Sequence, residues 1–368
     1  VSDAPSITFA YPQREHEVLS YAIEHAVTRV LRSGSYVLGS EVQAFEQAFA
    51  RFTNTPHAVA VSSGTDALVC ALIALGVGPG HEVVVPAFGF VAAAEAIVRV
   101  GARPVFVDIE PITLGPDPAA CASVYSQRTT AVVVMHLFGQ AVDLAPLRRA
   151  VPHLRIIEDA AQGIGTRMDS HQVGTRGTLG TFSFFPAKSL GAAGDAGAVT
   201  TCDPELAQRV RHARVHGATG AYRWDGPGGN YRMDALQASI LTVKLAALEQ
   251  RLARRRTLGS RLAETLTSHG VVVLRGGPMC DPTFAPFALR TTCRDERLEQ
   301  LRSRGIDARV HYPSTVSSSK AFRGASGDGA FPEAERATRE LLSLPCSPEL
   351  RDDEFDRLLQ AVDEVFRG

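Results

Sequence analysis

The stretch "HAVAVSSGTDALVCALIALG", residues 57–76, decides how the chain is read. It opens with an unbroken apolar run, passes a serine- and glycine-bearing turn, and ends in a run of helix formers. A strand ending in a turn is expected over 57–64 and a helix over 65–76. The alternation continues downstream. "EVVVPAF" (82–88), "RPVFVDI" (103–109), "TAVVVMHLFG" (130–139) and "LRIIEDA" (154–160) read as strands, while "VAAAEAIVRVG" (91–101) and "LAPLRRAV" (144–151) read as helices. These strands are continuous Val/Ile/Phe runs, as in strands covered on both faces. The expected fold class is therefore α/β, a mostly parallel sheet with helices on each side.

Outward from this block, residues 14 to about 53 follow an amphipathic helical pattern, interrupted at "SGSYVLGS" (33–40). From Arg232 to about Leu266, apolar residues at Met233, Leu236, Ile240, Val243, Leu248 and Leu252 keep a helical period. One helix of that length suits a connector between domains. Its cluster "RLARRR" (251–256) reads as a solvated face, because acidic residues flank it. Strand-like "GVVVLRG" and "TFAPFALR", helical "DERLEQLRSRG", strand-like "DARVHY" and two final helical stretches complete a smaller α+β domain. The expected division is a large domain with an N-terminal helical segment over 1–235, then connector helix and smaller domain over 236–368. The segment 314–330, "STVSSSKAFRGASGDGA", reads as a low-complexity loop, and no internal repeat is visible.

Composition narrows the function classes. Among 368 residues, 38 Lys+Arg and 39 Asp+Glu leave a net charge of −1, which argues against bulk attraction to nucleic acid. No apolar run approaches the ~20 residues of a membrane helix. No secretory signal is seen, so a cytoplasmic protein is expected. The six cysteines show no CxxC and no neighbouring histidines, which points to reduced, packed thiols and neither zinc nor a disulfide framework.

Three stretches could carry chemistry. In "SSGTDAL" (62–68), Gly64 and Thr65 open a helix whose free N–H groups suit a phosphate, although Thr65 and Asp66 could equally be capping it. In "IIEDAAQG" (157–163), Asp159 ends a buried strand, where doubly wound sheets place their ligands; Gln162 lies three residues on and Glu158 faces the other way. In "TFSFFPAKSLGAAGDAGAV" (181–199), Lys188 follows an apolar run and precedes small residues that leave room for a ligand, and Ser183 offers a hydroxyl. A desolvated lysine is a nucleophile for carbonyls. A phosphate cradle, a carboxylate and a lysine together are what pyridoxal 5′-phosphate requires. "PAFGF" (86–90) supplies Phe88 and Phe90 as candidates to cover its ring.

The chain resembles the DegT/DnrJ/EryC1/StrS family of sugar aminotransferases, pyridoxal-phosphate enzymes of the aspartate-aminotransferase fold type. The resemblance runs in order through "SYVLGSEVQAFEQAFA", "SSGTDAL", "VVVPAFGFVA", "PVFVDIEP", "HLFGQAVDL", "IIEDAAQG", "FSFFPAKSLGAAGDAGAV", "NYRMDALQASIL", "RVHYP" and "SLPCSPEL". It implies Lys188 as Schiff-base lysine and proton shuttle, Asp159 on the pyridine nitrogen, Gln162 beside the ring hydroxyl and Phe90 stacked on the ring. It also implies Gly64, Thr65 and Ser183 on the phosphate, with Asn230 reaching the cofactor of a second copy in a homodimer. Phe88 and Tyr312 would lie toward the substrate. Four departures stand out: Ser189 after the lysine in place of a common Asn, Ala196 and Gly89 in place of a common Gly and Thr, and the segment after Pro313.

The implied reaction moves an amino group from L-glutamate to a keto-sugar of a nucleoside-diphosphate sugar. The product is an amino-sugar for a natural product or surface polysaccharide, and "FFPAK" favours amination at C3. A keto-cyclitol aminotransferase would share every cofactor residue. A regulatory or binding protein on the same fold would be marked by loss of Lys188 or Asp159, and both are intact. No metal is called for.

Overall fold

A computed structural model describes residues 6–322 and 329–367. Seven strands form the main sheet: β1 (His57–Val61), β2 (Glu82–Pro86), β3 (Arg103–Val107), β4 (Thr129–Met135), β5 (Arg155–Asp159), β6 (Leu179–Ser183) and β7 (Gly197–Thr201). Their spatial order is β1-β7-β6-β5-β4-β2-β3. The pairs from β6 to β3 are parallel, and β7 runs antiparallel to both of its neighbours. The α/β reading of residues 57–160 thus holds.

Pairing of β7 gathers the site. Gly197 is registered against Val61 on one side and Ser183 on the other, so the carboxyl ends of β1 and β6 meet at one residue. A Cβ on Gly197 would lie 2.4 Å from the Ser63 carbonyl oxygen, so only glycine permits this approach.

Every residue of β2 is buried, and helices cover both faces of the sheet. The helix Gly64–Ala74 buries Ala67 through Leu72 without a gap, which fits an element enclosed between the sheet and further helices. On β6 the strand alternation is used fully. Phe182 and the following Phe184 meet Phe49 edge-on at 5.1 Å each, fixing β6 to the helix Gly39–Thr53. Ser183, between them, faces the opposite side. Each buried phenylalanine contributes about 2 kcal/mol by area, so this end of β6 is firmly held.

A second antiparallel sheet contains β8 (Val272–Leu274), β9 (Phe287–Arg290) and β10 (Leu341–Leu344). It shares a core with the helices Leu248–Ser268, Arg294–Ser303 and Asp352–Phe366. Ile7, from the start of the described chain, joins the same core.

Several expectations are corrected. The single helix over 232–266 is two helices, Ala235–Ala246 and Leu248–Ser268, broken at Ala247 (φ −97°, ψ −2°). "DARVHY" makes only one isolated bridge, Arg309 to Ser343. The loop over 314–330 lies partly outside the described residues, but its start is anchored: the Val316 N–H donates to the Ala87 carbonyl at 2.8 Å and Phe322 packs on Phe106.

"RLARRR" is a solvated face only at Ala253 and Arg254, and the rest of it is turned inward. Arg251 pairs with Glu15 at 2.5 Å and Glu349 at 2.7 Å, and Arg254 pairs with Asp352 at 2.9 Å. Arg255 is buried. These partners lie far away in sequence, so flanking acids were a poor guide. Glu15 also receives the buried Lys244 ammonium at 3.0 Å, which ties the first helix to the connector. Removing one member of a buried ion pair strands the other, at a cost of about 3 kcal/mol. Glu15→Ala is therefore expected to lower unfolding stability by roughly that amount in urea titrations; a loss below about 1 kcal/mol would place the pair among weak surface bridges.

Candidate active site

A cavity of about 740 Å³ opens at the carboxyl ends of β1, β5 and β6. Gly64, Thr65, Phe90, Asp159, Gln162, Ser183, Lys188 and Tyr312 all line it. Its volume is that of a site for a cofactor together with part of a substrate.

The anion end is built by a helix start. Ser63 caps the helix Gly64–Ala74, its hydroxyl accepting the Asp66 N–H at 3.0 Å. Asp66 in turn accepts the hydroxyls of Ser62 and Ser63, so it belongs to the cap. The N–H groups of Gly64 and Thr65 precede Ala67, whose N–H makes the first intrahelical bond, to the Ser63 carbonyl at 2.9 Å, and they remain to bind an anion. A Cβ on Gly64 would lie 2.6 Å from the Ser183 Cβ; glycine is what lets the β6 hydroxyl join the helix terminus. The structure thus brings Gly64, Thr65 and Ser183 to one point.

Asp159 ends β5, and its Oδ1 accepts the Ala161 N–H at 3.0 Å. Lys188 lies just beyond β6. Both line the cavity and are half-buried. Burial disfavours each charged form: it pushes the Asp159 carboxyl up, against the Ala161 N–H and the Lys188 charge. It pushes the Lys188 amine below the usual lysine range, against the Asp159 charge. A lowered amine pKa means more neutral, nucleophilic lysine near neutral pH.

Glu158 faces the other way, as expected, into a buried pair with His136 at 2.8 Å. His136 Nδ1 accepts the Val142 N–H, so Nε2 carries the proton donated to Glu158. Burial pushes Glu158 up, but His136 and the N–H groups of Gly174 and Gly177 outweigh it and hold the carboxylate below its ordinary range. The neighbouring acids therefore differ: one is fully satisfied by protein, and the other faces the cavity.

Gln162 accepts the Phe138 N–H at 2.7 Å, which leaves its amide nitrogen to donate to the Tyr312 hydroxyl at 3.0 Å. Burial pushes the Tyr312 phenol up to about 12, so it stays protonated. Phe90 is 54% exposed and presents a free face at the wall. Phe88 is corrected as a direct substrate contact. It is fully buried, does not line the cavity, and packs edge-on against Tyr312 at 5.9 Å. Asn230 is exposed and outside this chain's cavity.

The small residues after Lys188 also have a different use from the expected one. A Cβ on Gly191 would lie 2.4 Å from the Pro186 carbonyl oxygen, so that glycine lets the loop fold back on itself. A Cβ on Gly89 would lie 2.4 Å from Met135 Cε, so the bare glycine lets Met135 fill that part of the wall.

Sequence reasoning missed His136, Asp195, Arg255, Arg309 and His311, all at the cavity wall. Arg255 had a readable signal. It lies on the stripe Leu248, Leu252, Arg255, Gly259, Leu262, whose spacings of three and four mark one helix face. Lysine scarcity was another: the chain has three, of which Lys244 is ion-paired and Lys320 exposed.

Comparison with known proteins agrees with this geometry. The family model described as DegT/DnrJ/EryC1/StrS aminotransferase family matches residues 19–363. The chain belongs to that family. It is 39% identical over 369 residues to dTDP-3-amino-3,4,6-trideoxy-alpha-D-glucose transaminase of Streptomyces venezuelae, covering 99% of this chain and 97% of that one. It is 36% identical to UDP-N-acetyl-3-dehydro-alpha-D-glucosamine 3-aminotransferase of Acidithiobacillus ferrooxidans, covering 93% of each. The crystal structure of S. venezuelae DesV in complex with a ketimine intermediate superposes with a TM-score of 0.95 at 38% identity, over 99% of this chain and 100% of that one.

The protein is thus a pyridoxal-phosphate-dependent aminotransferase. Its own residues fit the cofactor: the Gly64 cradle would hold the phosphate, Asp159 the ring nitrogen and Lys188 the aldehyde. The opposed charges give a direct check. Asp159→Ala removes the charge that favours the Lys188 ammonium, so the pH midpoint for acylation of Lys188, followed by peptide mass spectrometry, is expected to move down. An upward shift would mean that Asp159 does not act on the amine.

Proposed function

We propose that this enzyme moves the amino group of L-glutamate to the C3 keto group of a nucleoside-diphosphate sugar, making an amino-sugar. The observation that carries this reading is that Lys188 and Asp159 line one cavity large enough for cofactor and sugar. Two relatives named above carry position 3 of the sugar in their names, which supports C3.

Bound pyridoxal phosphate supplies an electrophilic aldehyde and an electron sink. The chain supplies the rest. Gly64, Thr65 and Ser183 would hold the phosphate, Phe90 would offer an aromatic face to the ring, and Asp159 would keep a proton on the ring nitrogen. The Lys188 amine would be the base that takes the proton from the donor α-carbon and, as the ammonium, the acid that gives that proton to the cofactor carbon. A two-way proton carrier works best with a pKa near the working pH, and burial moves Lys188 in that direction. Gln162 and Tyr312 form a hydrogen-bonded part of the wall of the same cavity.

We further propose a homodimer in which Asn230 of one copy serves the other copy's site. Asn230 is exposed and does not line its own cavity, and the nearby hairpin 218–224 exposes Tyr222 (91%) and Trp224 (60%), apolar rings suited to a subunit contact. We place the enzyme in the cytoplasm. All six cysteines are unpaired, and no described helix is long and apolar enough to cross a membrane.

The purified yellow protein is expected to lose its imine absorption on addition of L-glutamate and to regain it with the correct keto-sugar nucleotide, while Lys188→Ala does neither. A spectrum that glutamate leaves unchanged would remove glutamate as donor. For the shared site, mixing inactive Lys188→Ala and Asn230→Ala proteins is expected to restore part of the activity through hybrid dimers. Recovery no greater than either parent would contradict it.

A further inference from the structure

The arginines of the connector are matched with acids, with one exception. Arg251, Arg254, Arg256 and Arg261 each have a carboxylate within ion-pair distance. Arg255 is only 9% exposed and has no such partner among the described residues. Its side chain makes one hydrogen bond, from Nη1 to Ser189 Oγ at 2.6 Å, and its buried Nε has none. The nearest acids that act on it electrostatically, Glu349 and Glu15, are held by Arg251 and Lys244.

A guanidinium carries five N–H donors, and a buried one without an anion is costly. Arg255 also lines the main cavity, and Ser189, to which it is tied, directly follows Lys188. The phosphate cradle has its own donors at Gly64, Thr65 and Ser183, so a second anion is implied beside the amine. The amino donor must bring its nitrogen to the position Lys188 gives up, and an amino acid carries a carboxylate two bonds from that nitrogen. We infer that Arg255 is the binding residue for a carboxylate of the amino donor. It is held in place by Ser189 and left free by the ion pairs around it.

This inference rests on the aminotransferase reading with an amino-acid donor. It divides the two half-reactions: Arg255 serves the donor, and the sugar nucleotide does not depend on it. Ser189 has a defined part as well, since its short side chain accepts one guanidinium N–H and leaves the others to a ligand.

The probe is glutarate, a dicarboxylate without an amine, titrated calorimetrically into the cofactor-loaded protein. Wild type is expected to bind it in competition with L-glutamate. Arg255→Gln is expected to weaken glutarate about 10- to 100-fold, as for loss of a charged hydrogen-bonding partner. KM for glutamate should rise likewise, with KM for the keto-sugar nucleotide unchanged. Arg255→Lys should recover part of the loss, and Ser189→Ala, which keeps the guanidinium, should still bind glutarate. Unchanged glutarate affinity in Arg255→Gln would overturn the proposal. So would equal losses for glutarate and sugar nucleotide, or a loss in Ser189→Ala as large as in Arg255→Gln. Glutarate binding is read without turnover, so a wild type that binds glutarate but is not bleached by glutamate contradicts the glutamate-donor reading and leaves the Arg255 site standing.

Discussion

The parallel register between β5 and β6 is the constraint on which the site depends. It sets Asp159 opposite Thr181, and the Ala160 N–H donates to the Thr181 carbonyl at 2.9 Å just past the strand end. From there the two chains diverge. One carries Asp159 and Gln162 along one wall, and the other carries Ser183 and Lys188 along the next. A slip of one residue would turn Asp159 to the opposite face and bring Glu158 to the cavity. The buried His136–Glu158 pair opposes that slip, because Glu158 would forfeit its hydrogen bonds to His136 and to the loop at Gly174–Gly177.

The same logic of satisfied and unsatisfied charge runs through the molecule. Where a charge holds the fold, the chain supplies its partner, as in Glu15 with Lys244 and Arg251. Where a charge faces the cavity, partners are withheld. Among the described residues, Lys188 has no ion pair and Asp159 has a single backbone N–H to its carboxylate. Burial then works against both charged forms, which makes the amine a better nucleophile and the acid a better partner for a cationic ring. The cavity is thus poised by what its residues lack.

Much of this was legible in the sequence because each part had a local signature. Continuous Val/Ile runs gave the parallel strands, and the strand ends near Gly64, Asp159 and Ser183 pointed to residues that the structure brings to one cavity. Other parts depended on contacts that sequence does not reveal. The Arg251–Glu15 pair joins residues separated by most of the chain, so a cluster with acids nearby in sequence looked solvated. Phe88 and Phe90 are alternate residues of one run, yet one is core and the other cavity wall; which face met the cavity depended on packing by Met135 and Tyr312. The glycines after Lys188 suggested open space, whereas the structure uses Gly191 and Gly197 for close backbone approach. Small residues alone do not say whether ligand or chain fills the room.

The central claim is that Lys188 holds the cofactor aldehyde, and the most direct measurement is borohydride reduction of the purified yellow protein followed by peptide mapping. Because the chain has only three lysines, the result is unambiguous. The account predicts a pyridoxyl group on the Lys188 peptide alone. Attachment at Lys244 or Lys320, or no attachment to any lysine, would contradict it.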